Sequence, residues 1–591
     1  MFRKRLKLAW IVYKKLYGKY SQQMVILGFL GFFGGLLEGL GIGTLIPLFS
    51  IITNQGFGGD PVSLGIQQFF SFIHLDLRVR TLLVLICTLF VIKAVIIFIF
   101  DYIQARITSN YEREAKSKLY EDAMAASWPF LLKQKIGHLE NYMTQEMKWA
   151  VRILQMIPDL ILDVTSFLIY FIIALRIAPY VTVLAIIIGG VLFLLMRPLV
   201  VRVKNYSKEE RLLLKEVSHQ VNENFTGLKT IKSLQAEEPL VDEGRKIFKQ
   251  IEFLRLRMHV SKHLTLDLVQ PISVIFVSVV FAVSYFQKGF NLAVFVATVY
   301  LIQRIFVYID KAQRTTNQFY SGMPNLLALI DFSDNVRRAR ELPGGDKKFS
   351  FTKKLALRDV AFSYGKARTT LSGINIRINK GEMIGIIGPS GAGKTTLIDL
   401  ILRLFSPTSG VIELDGQAIS DISLAEWRKN VGYVSQEIFL KNATVFENIR
   451  FYDELISKEK VIEGARLANA TQFITDLPNG FETMVGERGV YLSAGQRQRI
   501  ALARILARSP ELLILDEATA ALDNESEKMI KLAIENLHGK VTVIIIAHRL
   551  TTILDADRII AIDDGKIVET GAPADLLENH SSYLYKVNNI G

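Results

Sequence analysis

Cysteine is nearly missing from this chain: Cys87 is the only one among 591 residues. An intrachain disulfide needs two thiols and a cysteine zinc site needs several, so both are excluded. Charge is thin as well, at 21% of residues, whereas half of the residues are hydrophobic. The mean hydropathy of +0.28 is too apolar for a wholly water-soluble enzyme and predicts membrane-crossing segments. The length predicts several domains. The charge that is present leans positive, to a net +13. Such a surplus can mean nucleic acid, but its placement in loops suits the cytoplasmic face of a membrane beside anionic lipid, and no nucleic-acid partner is expected.

Against that background stands one Gly-rich octet, Gly388-Pro389-Ser390-Gly391-Ala392-Gly393-Lys394-Thr395, which fits G-x-x-x-x-G-K-[ST]. The apolar run 383–387 before it predicts a short buried strand, and 396–404 predicts the helix that follows. In that setting glycines let backbone N–H groups turn inward around phosphates, and the helix N-terminus adds its positive dipole end. Lys394 then reaches the β- and γ-phosphates, and the Thr395 hydroxyl ligates Mg²⁺.

The first half of the chain supplies the membrane segments. Residues 1–20 mix seven Lys and Arg with Leu6, Trp10, Tyr13 and Tyr17 at helical spacing, the pattern of an interfacial helix. The apolar stretch 24–52 is too long for a signal peptide and is expected to be the first span. Further spans are expected near 81–104, 155–177, 179–200, 264–286 and 290–311, each close to the roughly 20 residues a bilayer requires. The third and fourth meet in a tight turn around 176–179. Segments 105–152 and 201–262 are rich in Lys and Arg, whereas 53–80 and 287–289 are nearly free of them. The positive-inside rule therefore places both termini and both long loops in the cytoplasm.

Two features of this half exceed what spanning needs. Val62, Ile66, Phe69, Phe70 and Ile73 form one apolar helical stripe, which predicts a short helix lying at the outer interface or packed on neighbouring spans. Glu38, Lys93 and Arg304 are charges inside apolar runs. Glu38 and Lys93 fall at similar depth on antiparallel neighbours, so they pair with each other or contact a substrate in a cavity. Arg304 lies nearer the inner end, where its side chain can reach toward the interface.

From 331 to 350 the chain is polar and includes Pro343-Gly344-Gly345-Asp346, the composition of a linker. Beyond it, short apolar strands alternate with helices, an α/β arrangement. Strands are expected at 411–414, 431–434, 512–515, 543–547 and 558–562. The run 512–515 ends in Asp516 and Glu517. Asp516 suits the outer shell of Mg²⁺, and Glu517 can polarise an attacking water.

Taken together these residues resemble the ATPase domain of ABC transporters along nearly the whole region. Leu492-Ser493-Ala494-Gly495-Gln496-Arg497-Gln498-Arg499 is similar to the family signature LSGGQRQR, with Ala494 replacing its first glycine. Gln436 matches the glutamine loop, Ala521-Leu522-Asp523 the loop that crosses the dimer interface, His548 the switch histidine and Tyr364 the aromatic stacked on adenine. The membrane half resembles the six-helix exporters of the same family. There, 224–232 looks like their second cytoplasmic loop and 128–139 is placed like their first coupling helix. Leu37-Glu38-Gly39-Leu40-Gly41-Ile42-Gly43-Thr44-Leu45-Ile46-Pro47 resembles the first span of bacterial lipid-linked oligosaccharide flippases.

The resemblance implies a multidomain membrane protein of the cell inner membrane. Its all-α six-helix transmembrane exporter domain (1–335) leads through a linker (336–350) to an α/β P-loop ABC ATPase domain (351–591). It implies ATP and Mg²⁺ as cofactors. Nucleotide would be bound by Tyr364, residues 388–395 and Thr396 of one chain. Ser493 and Gly495 would come from a second chain, and Ala494, Gln496 and Asp523 are also expected among the nucleotide-binding residues. Glu517, His548 and Gln436 would act in hydrolysis, and Thr395, Gln436 and Asp516 at the metal. One ATPase domain per chain implies a dimer. Because every catalytic position is intact a homodimer is the simplest form, with a heterodimer the alternative. If position 494 requires a left-handed backbone or a very close approach, alanine there costs on the order of 1 kcal/mol. The expected activity is ATP-driven export or flipping of an amphipathic substrate, a lipid-linked oligosaccharide or other anionic glycolipid, with Glu38, Lys93 and Arg304 as candidate substrate contacts. Multidrug, lipid A and peptide exporters share the architecture, as would an ATP-gated channel or a regulatory subunit.

Overall fold

The computed structural model describes residues 17–590 except 53–60, 73, 75, 77, 135, 286–291, 366–368, 519–521 and 548–549. The chain divides into two compact units, one of Met1–Ala126 and Phe130–Arg340, the other of Ser127–Pro129 and Glu341–Gly591.

The first unit is helical. Its main helices are α1 (Ser21–Gly43), α2 (Leu45–Ile52), α3 (Pro61–Phe72), α4 (Val79–Met124), α5 (Met147–Ile177), α6 (Pro179–Thr226), α7 (Glu237–Leu266), α8 (Val269–Tyr285) and α9 (Leu292–Arg338). Among the described residues, four helices are long and apolar enough to cross a membrane: Gly18–Gly43, Val79–Met124, Leu139–Ile177 and Pro179–Thr226. The fifth and sixth expected spans coincide with α8 and the first part of α9. Helix α1 packs against α4 and α5, while α9 packs against α5 and α6.

Prolines account for two departures from the expected spans. The stretch 24–52 is not one helix but breaks at Thr44 between α1 and α2. Pro47 has no N–H to bond the Gly43 carbonyl, and its ring crowds that carbonyl. The Thr44 hydroxyl instead donates to the Gly41 carbonyl at 2.6 Å. Likewise α7 and α8 are separated at 267–268, one turn ahead of Pro271. Only Ala178 separates α5 from α6, with Pro179 opening α6 where its missing N–H costs nothing.

Four smaller expectations also bear on this unit. Tyr17, of the basic N-terminal segment, is buried with Tyr20 edge-on against Tyr111, and the Tyr17 hydroxyl donates to the Ala150 carbonyl at 2.8 Å. The remainder of that basic segment, 1–16, lies outside the described residues. The predicted outer helix is α3, and Phe70 packs with Leu48 and Leu82, so this side of it faces its neighbours. The side chains of Val62 and Phe69, and Ile73 entirely, fall outside the described residues. In the two loops proposed as coupling elements, short helices form at Trp128–Leu131, Ile136–Asn141 and Leu228–Ser233. Helix α9 continues through Arg338, beyond the expected end of the helical domain at 335.

The second unit is built on two sheets. A four-stranded antiparallel sheet has the order β2 (Thr369–Asn379), β1 (Lys354–Ser363), β4 (Ser409–Leu414), β5 (Gln417–Ala418). A six-stranded sheet has the order β10 (Lys566–Gly571), β9 (Arg558–Asp563), β3 (Met383–Ile387), β8 (Thr542–Ile546), β7 (Leu512–Asp516), β6 (Val431–Val434). All its pairs are parallel except β10 with β9. Strands β3, β7 and β8 are buried along their whole length, as continuous apolar runs in a sheet covered on both faces should be. Successive side chains alternate between two cores. Ile384, Ile514, Ile544 and Ile560 join β1, β2 and α10 (Lys394–Ile401), while Leu513, Leu515, Val543 and Ile545 join α11 (Ala494–Leu506) and α12 (Asn524–Glu535).

Candidate functional site

The Gly-rich octet lies between β3 and α10. The helix begins at Lys394 rather than Thr396 and ends at Ile401, because Gly393 caps it in a left-handed conformation (φ 104°) open to glycine. Lys394 Nζ donates to the carbonyls of Gly388 at 2.7 Å and Pro389 at 2.9 Å. The ammonium is thus folded back into the loop and held over its concave side. Burial pushes Lys394 below its ordinary value, against the pull of Glu517 and Asp516. A buried cation held by two loop carbonyls at a helix N-terminus is a prepared anion site. Tyr364 is 45% exposed, lies edge-on to Phe362 and Phe405, and its hydroxyl is 3.2 Å from Thr396 Oγ1. That leaves a ring face beside the loop.

Strand β7 delivers both acids to this loop. Asp516 is buried, and its Oδ2 accepts a hydrogen bond from the Tyr433 hydroxyl at 3.2 Å. Glu517, just past the strand, has φ 51°, a left-handed conformation that costs a non-glycine residue on the order of 1 kcal/mol. Its N–H is held by the Ile546 carbonyl at 2.9 Å, and its Oε2 accepts from Gln436 Nε2 at 2.5 Å. Asp399, on α10, is pushed up to about 6 by burial and by the nearby Asp516 charge. Sequence reasoning overlooked Tyr433 and Asp399. The period of two along β6 was the available signal for the first, and the i, i+4 step from Thr395 for the second.

The signature segment begins α11. Ser493 and Gln496 form a reciprocal cap, with Gln496 N donating to Ser493 Oγ at 3.2 Å and Ser493 N to Gln496 Oε1 at 2.9 Å. Ala494 is the first residue of the helix, with an ordinary right-handed backbone, so the cost foreseen for alanine in a left-handed position does not arise. Gly495 is the demanding position, since a Cβ there would overlap Ser526 on α12. Asp523 is the cap residue of α12. A cavity of about 570 Å³ joins the two motifs of one chain, with Gln436 on one wall and Ala494, Arg488 and Leu522 on others. Among the described residues no hydrogen bond connects Ser493 or Gln496 with Lys394. His548 lies outside the described residues.

In the helical unit the three embedded charges come together. Glu38 on α1, with a side chain 8% exposed, places Oε2 at 3.0 Å from Lys93 Nζ on α4 and Oε1 at 3.3 Å from Arg304 Nη2 on α9. Arg304 therefore does not reach toward an interface but turns to the carboxylate, and its Nε donates to the Tyr300 hydroxyl at 2.8 Å. Two cations around one carboxylate leave one formal positive charge in excess.

A phosphate loop, two acids at a strand end and a capped signature helix, carried by a chain with membrane-length helices, define an ABC transporter. The chain belongs to that family: residues 24–308 match its description "ABC transporter transmembrane region" and residues 371–520 match "ABC transporter". It is thus a multi-pass membrane protein that binds nucleotide and hydrolyses ATP to drive transport. Among individual proteins, it is 32% identical to an "ATP-dependent lipid A-core flippase" of Paraburkholderia xenovorans, over 82% of each chain. It is 30% identical to the "Heterocyst differentiation ATP-binding protein HepA" of a Nostoc species, over 97% of this chain and 94% of the other. The solved structure of a bacterial Atm1-family ABC exporter with ATP bound shares the fold, with a TM-score of 0.81 at 22% identity, covering 97% of this chain and 99% of that one.

Proposed function

We propose that this protein uses ATP hydrolysis to move an anionic glycolipid from the inner to the outer leaflet of the cell membrane. The observation that carries this reading is the Glu38–Lys93–Arg304 cluster. An excess positive charge among apolar helices suits a phosphorylated head group and repels a cationic drug. The relatives named as lipid A-core flippases and the resemblance of 37–47 to lipid-linked oligosaccharide flippases both point to phosphorylated glycolipids.

In this reading residues 1–335 are the transmembrane domain and 351–591 the ATP-binding domain, with that domain and both termini in the cytoplasm. Two copies of the chain sandwich ATP head to tail. One copy contributes Tyr364, residues 388–395 and Thr396; the other contributes Ser493, Ala494, Gly495, Gln496 and Asp523. Lys394 leaves its loop carbonyls for the β- and γ-phosphates. Thr395, Gln436 and Asp516 present hydroxyl, amide and carboxylate oxygens, hard donors that suit Mg²⁺, and the ion would neutralise phosphate charge. Glu517, oriented by Gln436, polarises the attacking water, and His548 assists hydrolysis as the switch histidine. Closing the sandwich biases the helices from inward- to outward-facing, and hydrolysis resets them.

The test is purified protein in liposomes, with ATPase stimulation and leaflet exchange measured for phosphorylated glycolipids alongside cationic drugs. Stimulation and transport by glycolipid, weakened by Lys93→Ala plus Arg304→Ala, is expected. Transport of drugs alone, untouched by that double change, would overturn the proposal.

A further inference from the structure

The segment from Tyr433 to Gln436 places one neutral donor on each of the two consecutive acids. Strands β6 and β7 run parallel, with Tyr433 opposite Ile514 and Val434 opposite Leu515. Side-chain alternation then puts Val431 and Tyr433 on the face shared with Leu512 and Ile514, the face covered by α10. Asp516 continues that same face two residues beyond Ile514. Tyr433 is partly buried in this core, and its hydroxyl emerges beside Asp516, donating to Oδ2 at 3.2 Å. Three residues on, where the strand has ended, Gln436 Nε2 meets Glu517 Oε2 at 2.5 Å.

The second contact joins two residues already given roles in hydrolysis; the first brings in Tyr433, which has been given none. Asp516 is a buried acceptor-only group near a second carboxylate, Asp399, on the same helix that carries Lys394 and Thr395. A carboxylate in that position is repelled from one side and needs a donor on the other to keep its plane fixed. Tyr433 donates a hydrogen bond to Asp516, and packing of its ring against the core restrains where its hydroxyl can go.

We propose that Tyr433 is a positioning residue that sets the Mg²⁺ affinity of the ATP site by orienting Asp516. This rests on the reading above that Asp516 serves the metal. Tyr433 itself touches neither nucleotide nor metal. Removing a residue that orients a metal ligand lowers metal affinity by roughly 10- to 100-fold.

The experiment uses the full-length protein carrying Glu517→Gln, so that bound ATP is not consumed, and titrates Mn²⁺ by electron paramagnetic resonance in the presence of ATP. Metal-free binding of a fluorescent ATP analogue in EDTA is measured on the same samples. Tyr433→Phe keeps the ring and removes only the hydroxyl. It should weaken Mn²⁺ about 10-fold and leave metal-free nucleotide binding within twofold of the parent. In an Asp516→Asn background, Tyr433→Phe should have no further effect on Mn²⁺. Unchanged Mn²⁺ affinity in Tyr433→Phe, with affinity lost in Asp516→Asn, would overturn the role of Tyr433 while sparing that of Asp516. Full Mn²⁺ affinity in Asp516→Asn would overturn both. Loss of metal-free nucleotide binding in Tyr433→Phe would also overturn the proposal, because the tyrosine would then be supporting the fold instead.

Discussion

Glu38 Oε2 lies 3.0 Å from Lys93 Nζ, and the same carboxylate reaches Arg304 with its other oxygen. Because the acid is shared, the three positions are not equivalent. Glu38→Gln strands two cations among apolar helices and should destabilise the helical unit by about 3–5 kcal/mol, the scale for breaking a buried pair. Lys93→Met leaves Arg304 to hold the acid and should cost less. Thermal unfolding in detergent, arranged as a double-mutant cycle, checks this. Losses that simply add would show that Glu38 and Lys93 act separately.

Glu517 receives a hydrogen bond from Gln436 and so has a fixed orientation before any water arrives. Glu517→Gln removes the carboxylate and keeps the phosphate grip, so turnover should fall by about 10²–10⁴-fold, the scale of general-base catalysis, while ATP still binds. Lys394→Ala should weaken nucleotide binding itself. Turnover by Glu517→Gln at the unaltered rate would reject Glu517 as the base.

Neighbouring residues in the signature should respond in opposite ways. Ala494→Gly relieves no strain and should change domain stability by at most about 1 kcal/mol, the helix preference of alanine over glycine. Gly495→Ala drives a methyl into Ser526 and should unfold or distort the junction of α11 and α12. Adding Ser526→Gly should restore much of the loss. Denaturant titration of the three variants decides the matter; a harmless Gly495→Ala would refute the packing argument.

Acid should loosen the ATPase domain at Asp415. Burial opposes its ionisation, but hydrogen bonds from the backbone N–H groups of Lys354, Thr352 and Lys353 and from the Thr352 hydroxyl outweigh it and hold the carboxyl below its ordinary value. A carboxylate lowered by folding stabilises at pH values above its unfolded value of about 3.9 and loses that contribution as pH falls through the folded one. Asp415→Asn should therefore cost about 1.5–3 kcal/mol at neutral pH and progressively less below pH ~4. An equal cost at neutral and acid pH would contradict this.

Legibility in the sequence followed the kind of burial. Strands β3, β7 and β8 are buried on both faces and read as plain apolar runs, so the phosphate loop and the two acids could be placed directly. Strands β1 and β2 went unnoticed because they mix buried and exposed positions, and short alternating runs are a weaker signal. The break at Thr44 was written in Pro47 but masked by an unbroken apolar composition. Pairing of Arg304 with Glu38 links residues far apart in the chain, and helical periodicity says which face a residue occupies but not which helix that face meets. The period of two along β6 gives the face that Tyr433 occupies, but its meeting with Asp516 depends on the register of β6 on β7, which the sequence alone does not supply.

The most direct measurement of the central claim is leaflet exchange of a fluorescent phosphorylated glycolipid in proteoliposomes, read by chemical quenching of the outward-facing label. Export predicts ATP-dependent movement that stops in Glu517→Gln and slows in Lys93→Ala plus Arg304→Ala. Movement that persists without hydrolysis, or none at all while cationic drugs are carried, would contradict it.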